Sequence, residues 1–253
     1  MKKHSSWLFP LLPLFLLLLT AILLVPGCIV DFQTVTGSSD METRNYSLSD
    51  FSRIQLSQTF RVEVYPADEY RVEVEFNRNL SDLLVVEKRD NTLVLGLQQG
   101  YQYRNQKLRA RVYAPQITDV MASGATEVQL QNIRVPRFSL SLSGASEVKG
   151  MLRVEEQLKI DASGASSITL EGRAESAILA FSGASKFLGQ QFKVRRSFEV
   201  EGSGAGQITV CTEGQIRAGL SGACALYYYG NAEVVSQQLS GASVLKRLGN
   251  MPE

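Results

Sequence analysis

Two periodicities divide the chain. Between residues 46 and 119, apolar side chains come in short alternating runs, as in Phe60, Val62 and Val64, then Val72, Val74 and Phe76, then Leu108, Ala110 and Val112. Breaks rich in turn formers separate them, at Pro66-Ala67-Asp68, Arg89-Asp90-Asn91 and Gln98-Gln99-Gly100. A period of two with Val and Phe enrichment predicts strands joined by turns. Beyond residue 30 no segment sustains a helical apolar period, so the predicted body is nearly all β.

The second pattern begins at residue 123. Ser-Gly-Ala recurs at Ser123, Ser143, Ser163, Ser182, Ser203, Ser221 and Ser240, with spacings of 20, 20, 19, 21, 18 and 19 residues. Flanking columns keep the same register. Five residues after each serine stand Val128, Val148, Ile168, Phe187, Ile208, Leu226 and Leu245; three before stand Val120, Leu140, Ile160, Leu179, Val200, Ala218 and Gln237. An internal period near twenty residues predicts a solenoid in which each side chain packs on its equivalent in the next coil. The glycine supplies a backbone conformation closed to other residues, and the small Ser and Ala let corners stack closely.

The expected fold is therefore an all-β, right-handed parallel β-helix-like solenoid, with handedness following the usual sense of parallel crossovers. Seven coils about 4.8 Å apart would give a stack roughly 30 Å long. An antiparallel array of hairpins is the competing architecture. It is disfavoured because no corner carries the Asn-Gly or Asp-Gly pair that tight hairpins prefer. Residues 46–119 are expected to cap one end with non-repeating strands, 120–250 to hold the repeats, and Lys246-Arg247-Leu248-Gly249-Asn250 to close the other end with charge.

The amino terminus follows different rules. Met1, Lys2, Lys3 and His4 form a basic head, and residues 7–25 are almost wholly apolar, which marks 1–27 as an export signal. Val25-Pro26-Gly27-Cys28 resembles the lipobox of bacterial lipoproteins, although Leu is more usual than Val and Pro is uncommon at its position. That resemblance implies lipidation at Cys28 and cleavage after Gly27; an uncleaved helix with an ordinary Cys28 thiol is the alternative. Two or more acyl chains anchor stably. Residues 28–45, polar and carrying Gly37, Ser38 and Ser39, read as a tether. Residues 46–253 are thus expected to sit in the cell envelope, lipid-anchored. Where a cell has two membranes, Ile29 after the lipid site resembles lipoproteins sent to the outer one.

Composition narrows the chemistry. The chain has 253 residues, 44% hydrophobic and 20% charged, with 26 Lys+Arg against 25 Asp+Glu. Near-zero net charge excludes a basic nucleic-acid binder. The single histidine lies at position 4, inside the export segment, so the expected mature chain lacks both the usual general base and the commonest metal ligand. No cofactor is implied.

Three features together resemble the auto-transporter adhesin head domain family, also called the GIN domain. They are Phe51-x-x-Ile54 leading into Phe60-Arg61-Val62-Glu63-Val64, the Val112-Tyr113-Ala114-Pro115-x-Ile117 segment, and the serial Ser-Gly-Ala-Ser corners. Gly206 and Cys224 depart from the pattern by replacing the final serine. The resemblance covers about residues 46–250 and implies a β-helix-like solenoid outside the cytoplasm; it supplies no catalytic residue.

Five candidate features remain. Corner hydroxyls either present a polar strip or bond locally to the tight corner, the latter following from stacking alone. Glu127 and Glu147 share a column and would sit about 5 Å apart, near the separation of a retaining glycosidase pair, or simply belong to a solvated face. Cys211 and Cys224 occupy different columns and are expected as small buried hydrophobes, with a disulfide as the alternative. Tyr101, Tyr103, Tyr227, Tyr228 and Tyr229 are candidate binding aromatics, and Arg104, Lys107, Arg109 and Arg111 a basic strand face. The expected function is a membrane-anchored, non-enzymatic adhesin or binding scaffold, with a glycan or an envelope protein as partner. A polysaccharide-active enzyme and a ligand-sensing module are the alternatives.

Overall fold

The computed structural model describes residues 33–250, so the expected export segment and Cys28 lie outside the described residues. The amino-terminal part contains β1 (Gln33–Thr36), β2 (Met41–Tyr46), β3 (Arg53–Leu56), β4 (Arg61–Pro66) and β5 (Arg71–Asn77). After a 3-10 turn at Arg78–Leu83 come β6 (Leu84–Arg89), β7 (Thr92–Leu97), β8 (Tyr101–Arg104), β9 (Leu108–Ala114) and β10 (Asp119–Ala122). The repeats supply β11 (Glu127–Leu142), β12 (Glu147–Ala162), β13 (Ser167–Phe181), β14 (Lys186–Gly202), β15 (Gln207–Thr212), β16 (Gln215–Leu220), β17 (Ala225–Tyr229), β18 (Glu233–Leu239) and β19 (Val244–Gly249).

Every contact between successive repeats is parallel, as the periodicity predicts and the hairpin array does not. β11 pairs with β12, β12 with β13 and β13 with β14, with Val128 on Val148 on Ile168 on Phe187 and Leu140 on Ile160 on Leu179 on Val200. Register shifts between Leu130 and Ile133 and between Val135 and Arg137 bend β11 twice. Together with the Ser-Gly-Ala corner, these bends give each coil three straight faces: 127–130, 133–135 and 137–142 in the first repeat. The uneven spacing has a local cause. Between β14 and β15 the register jumps from Gly189↔Val210 to Lys193↔Cys211, leaving Gln190, Gln191 and Phe192 without counterparts. Those three residues are the difference between the 21-residue and 18-residue coils.

At the corners the glycine requirement is steric as well as conformational. Gly164 has φ +76°, and a Cβ there would lie 2.5 Å from the Gly144 carbonyl oxygen. That oxygen accepts the Ala165 N–H at 2.8 Å, so consecutive corners are hydrogen-bonded backbone to backbone. Inside, one continuous core runs the length of the stack, with Phe60, Phe138, Phe187, Phe192 and Phe198 its largest fully buried side chains in the coils.

The amino-terminal strands differ from the expected non-repeating cap. β3 and β4, joined by Ser57-Gln58-Thr59-Phe60, form a further coil: Ile54 pairs with Val120 and Val62 with Val128, both in parallel. Gln58 occupies the corner glycine's place at φ +62°, and its carbonyl accepts the Ala125 N–H at 2.7 Å. Outside this coil lie β7, parallel to β3, and β9, parallel to β4. Spatial order therefore departs from chain order, because the coil formed by 92–114 sits outside the one formed by 53–66. Antiparallel strands then terminate the stack, with β6 on β7, β5 on β9 and β2 on β5.

Residues 33–45, expected as part of the tether, contribute strands. β1 pairs with β8, and β2 pairs with β5 through Thr43↔Glu75 and Asn45↔Glu73. An outermost strand needs little apolar patterning because polar contacts hold it. Arg44 makes an ion pair with Glu42 (2.6 Å), donates to Ser81 Oγ (2.7 Å) and lies 5.0 Å over the Phe76 ring. At the opposite end Arg247 donates to the Gly230 carbonyl at 2.7 Å, yet Leu239, Val244 and Leu248 are each more than 40% exposed. The expected charged closure pins the last coil without covering it.

Candidate ligand-binding groove

The corner hydroxyls separate into two columns with different surroundings. In the fourth position, Thr126, Ser146, Ser166 and Ser185 are buried. Ser146 Oγ donates to the Ser143 carbonyl (2.9 Å), Ser166 Oγ to that of Ser163 (2.9 Å) and Ser185 Oγ to that of Ser182 (3.1 Å), closing each corner on itself. At these three corners the local role expected from corner stacking holds, whereas Thr126 Oγ1 donates to Ser146 Oγ (3.0 Å) and the buried Ser243 Oγ has no partner among the described residues. The first-position serines point outward. Ser123, Ser163 and Ser221 reach neighbouring carbonyls only at 3.2–3.3 Å, and Ser143, Ser182, Ser203 and Ser240 make no side-chain hydrogen bond among the described residues.

These outward serines form one bank of a groove of about 1010 Å³ that crosses eight coils. Its floor is the row immediately before each serine, buried at Leu56, Ala122, Leu142, Ala162, Phe181, Gly202 and Leu220 and exposed at the terminal Leu239. The second bank is the outward row two residues before each serine: Gln55, Met121, Ser141, Asp161, Ala180, Glu201, Gly219 and Gln238. Asp161 pairs with Lys159 at 3.1 Å. Glu201 folds over Gly219, where a Cβ would collide with its carboxylate. Hydroxyls repeating at the coil spacing of about 4.8 Å offer a regular series of donors and acceptors, each with unused capacity. Strand alternation predicts both outward rows, but not that they enclose a groove.

Glu127 and Glu147 are register partners, as their shared column predicts. Both are already engaged: Glu127 with Arg61 (3.1 Å) and Glu147 with Lys149 (2.6 Å). The hydrogen bond that Lys149 donates to the Glu147 carboxylate raises the pKa of its ammonium above the ordinary value, holding it charged. A glycosidase acid must instead be kept protonated by apolar surroundings. No group of three or more metal-ligating side chains occurs among the described residues.

The candidate tyrosines are not brought together. Tyr101 and Tyr103 lie on β8, ring centroids 6.0 Å apart, with the Tyr103 hydroxyl donating to the Gln98 carbonyl. Burial raises the Tyr103 pKa. Tyr228 faces the core at 7% exposure, so it leaves the binding-surface set; the period-two alternation of β17 turns only Tyr227 and Tyr229 outward. A different aromatic pair is assembled across strands, Tyr65 on Tyr113 at 4.9 Å, with Arg71 3.9 Å over the Tyr113 ring. No sequence signal marks it, because the partners meet only through the β4–β9 register. Of the basic stretch, Arg109 and Arg111 are held by Glu75 and Glu73. Cys211 and Cys224 are buried free thiols, as expected for small hydrophobes in different columns.

Fold and groove together define a β-solenoid that displays long, repetitive surfaces. Residues 50–232 match the family model described as "Putative auto-transporter adhesin, head GIN domain", and the chain belongs to that family. An adhesin-type family points to the cell surface or envelope. Solved structures share the fold. A "putative adhesin" from Bacteroides fragilis has a TM-score of 0.74 at 21% identity, covering 85% of this chain and 99% of that one. A "putative adhesin" from Parabacteroides merdae has 0.66 at 16%, covering 85% and 99%. A "Putative lipid binding protein" from Parabacteroides distasonis has 0.67 at 18%, covering 85% and 100%. At such identities the likeness concerns the fold alone. No match is found among curated proteins.

Proposed function

We propose that this chain is a lipid-anchored envelope protein that works by binding, and that its groove receives an extended, hydroxyl-rich polymer such as a neutral glycan. The observation that carries this reading is the groove's regularity: seven coils supply the same three rows and an eighth, at Gln55 and Leu56, supplies two, so the site is linear and open along its length. Linear repetition suits a ligand that is itself a repeat. Polyhydroxylated chains match an array of serine hydroxyls that both donate and accept. The engaged state of Glu127 and Glu147 favours binding over hydrolysis.

The test is a glycan panel with the full chain and with a Ser143→Tyr/Ser203→Tyr variant, whose outward rings would fill the groove without entering the core. Binding of a neutral glycan that is lost in the variant, with an unchanged melting curve, supports the proposal. Absence of any neutral glycan ligand, or binding indifferent to the rings, refutes it. Product release from any glycan that disappears in Glu147→Gln would instead establish the enzymatic alternative. For the anchor, Cys28→Ala should abolish acyl labelling and release the protein from membranes.

A further inference from the structure

Most arginines on this surface are matched to carboxylates, at distances from 2.5 to 4.0 Å. The second face of the coils carries an exception. Arg134 pairs in register with Arg153, Arg153 with Arg173, and Arg173 with Lys193, placing four cations in one column on consecutive coils. Strand alternation turns Ile133, Val135, Leu152, Val154, Ala174, Phe192 and Val194 into the core. The four cations therefore share the outer surface, spread over roughly 15 Å at the coil spacing. Like charges directly opposite one another on neighbouring strands are destabilising.

The acids around the column relieve only its two ends. Glu155 is held by Arg134 (3.0 Å), Glu175 by Arg195 (3.0 Å) and Glu213 by Lys193 (3.0 Å). Glu171, two residues before Arg173, makes no ion pair. Arg153 and Arg173, the middle pair, have neither an ion-pair partner nor a side-chain hydrogen bond among the described residues, and both are exposed. Two adjacent guanidiniums left open, with an ion-paired cation on either side, present free N–H forks to an incoming oxyanion. Guanidinium forks bind oxyanions bidentately and tolerate close approach better than ammonium groups.

We propose that Arg153 and Arg173, flanked by Arg134 and Lys193, form a strip that binds an acidic polysaccharide through its carboxylate or sulfate groups. This surface is separate from the groove, whose banks lie beside the Ser-Gly-Ala corner. The carboxylates bordering the strip disfavour a densely charged duplex and suit a polymer whose anions are spaced along a thinner chain.

The experiment measures binding of the full chain to three probes, dextran sulfate, polygalacturonate and uncharged dextran, at low and high salt. Dextran sulfate or polygalacturonate should bind, more weakly as salt rises, and dextran should not. Arg153→Gln/Arg173→Gln should weaken polyanion binding about tenfold or more, a loss of at least about 1.4 kcal/mol. Arg109→Gln/Arg111→Gln removes the same charge from cations already held by carboxylates and should leave affinity unchanged. A groove-filled Ser143→Tyr/Ser203→Tyr protein should keep its polyanion affinity, which separates this proposal from the glycan groove. The strip is refuted if neither polyanion binds, if both arginine double variants lose affinity equally, or if Arg153→Gln/Arg173→Gln binds as the parent does.

Discussion

Substituting one corner glycine tests the stacking that the whole fold depends on. In Gly164→Ala the added Cβ meets two penalties. An L-residue held near φ +76° carries about 1–2 kcal/mol of backbone strain. In addition the Cβ would stand 2.5 Å from the Gly144 oxygen and 3.1 Å from its nitrogen, and neither atom can swing away because both belong to a hydrogen-bonded corner. Separating the corners weakens the Ala165 N–H bond to Gly144 (2.8 Å) and the Ala184 N–H bond to Gly164 (2.7 Å), each worth about 0.5–1.5 kcal/mol net. The expected loss is about 2–5 kcal/mol. Gly100→Ala is the control: Gly100 has φ +92°, but a Cβ there would meet nothing within 4 Å, leaving the strain alone. Urea denaturation followed by circular dichroism, with amide exchange at Ala165 and Ala184, reads both variants. If Gly164→Ala loses no more stability than Gly100→Ala, close corner stacking is not what selects glycine.

Three further outcomes follow from the core and the thiols. Phe198→Ala, emptying a position 1% exposed, should destabilise by about 3–5 kcal/mol in the same denaturation assay. Ser166→Ala removes the bond to the Ser163 carbonyl and should lose about 1 kcal/mol, since Gly206 and Cys224 show that a coil closes without this hydroxyl. Burial raises the Cys211 thiol pKa above its ordinary value, against a smaller opposing influence of Lys193. The folded state therefore holds this proton more tightly than the unfolded chain, so its stabilising effect is complete below the ordinary thiol pKa and is lost as pH rises through the folded value. Melting temperature should fall across that alkaline window, and Cys211→Ala should flatten the fall.

How much was legible depended on whether a contact is local in sequence. The coils at 123–249 could be read because the corner glycine answers a steric demand that repeats in sequence. The 53–66 coil escaped the same reading because Gln58 stands where the glycine belongs. No glycine corner is stacked outside it, so its side chain is accommodated and instead accepts the Leu97 N–H at 3.0 Å. The 92–114 coil was hidden for another reason. Its parallel partners β3 and β4 precede it in the chain by about forty residues, and alternation reports that a segment is a strand without naming its neighbour. Likewise Met41–Tyr46 shows little apolar patterning, since ion pairs and a cation over Phe76 hold that edge.

The two serine columns bear on function because the chain repeats its own experiment. At the fourth corner position the hydroxyl has a structural role, yet Gly206 and Cys224 replace it. At the first position all seven corners keep serine, although four of those hydroxyls have no partner among the described residues and the other three reach carbonyls only at 3.2–3.3 Å. Alanine is equally small, so corner packing alone does not account for the uniformity. A row of hydroxyls facing a shared groove does, provided that the groove is occupied by something that hydrogen-bonds to them. Ser143→Ala/Ser182→Ala/Ser203→Ala should then leave stability within about 0.5 kcal/mol of the parent, as exposed substitutions do, while reducing groove binding about tenfold. A triple variant that unfolds readily would assign the column to the fold; one that is stable and binds as before would remove the hydroxyls from recognition.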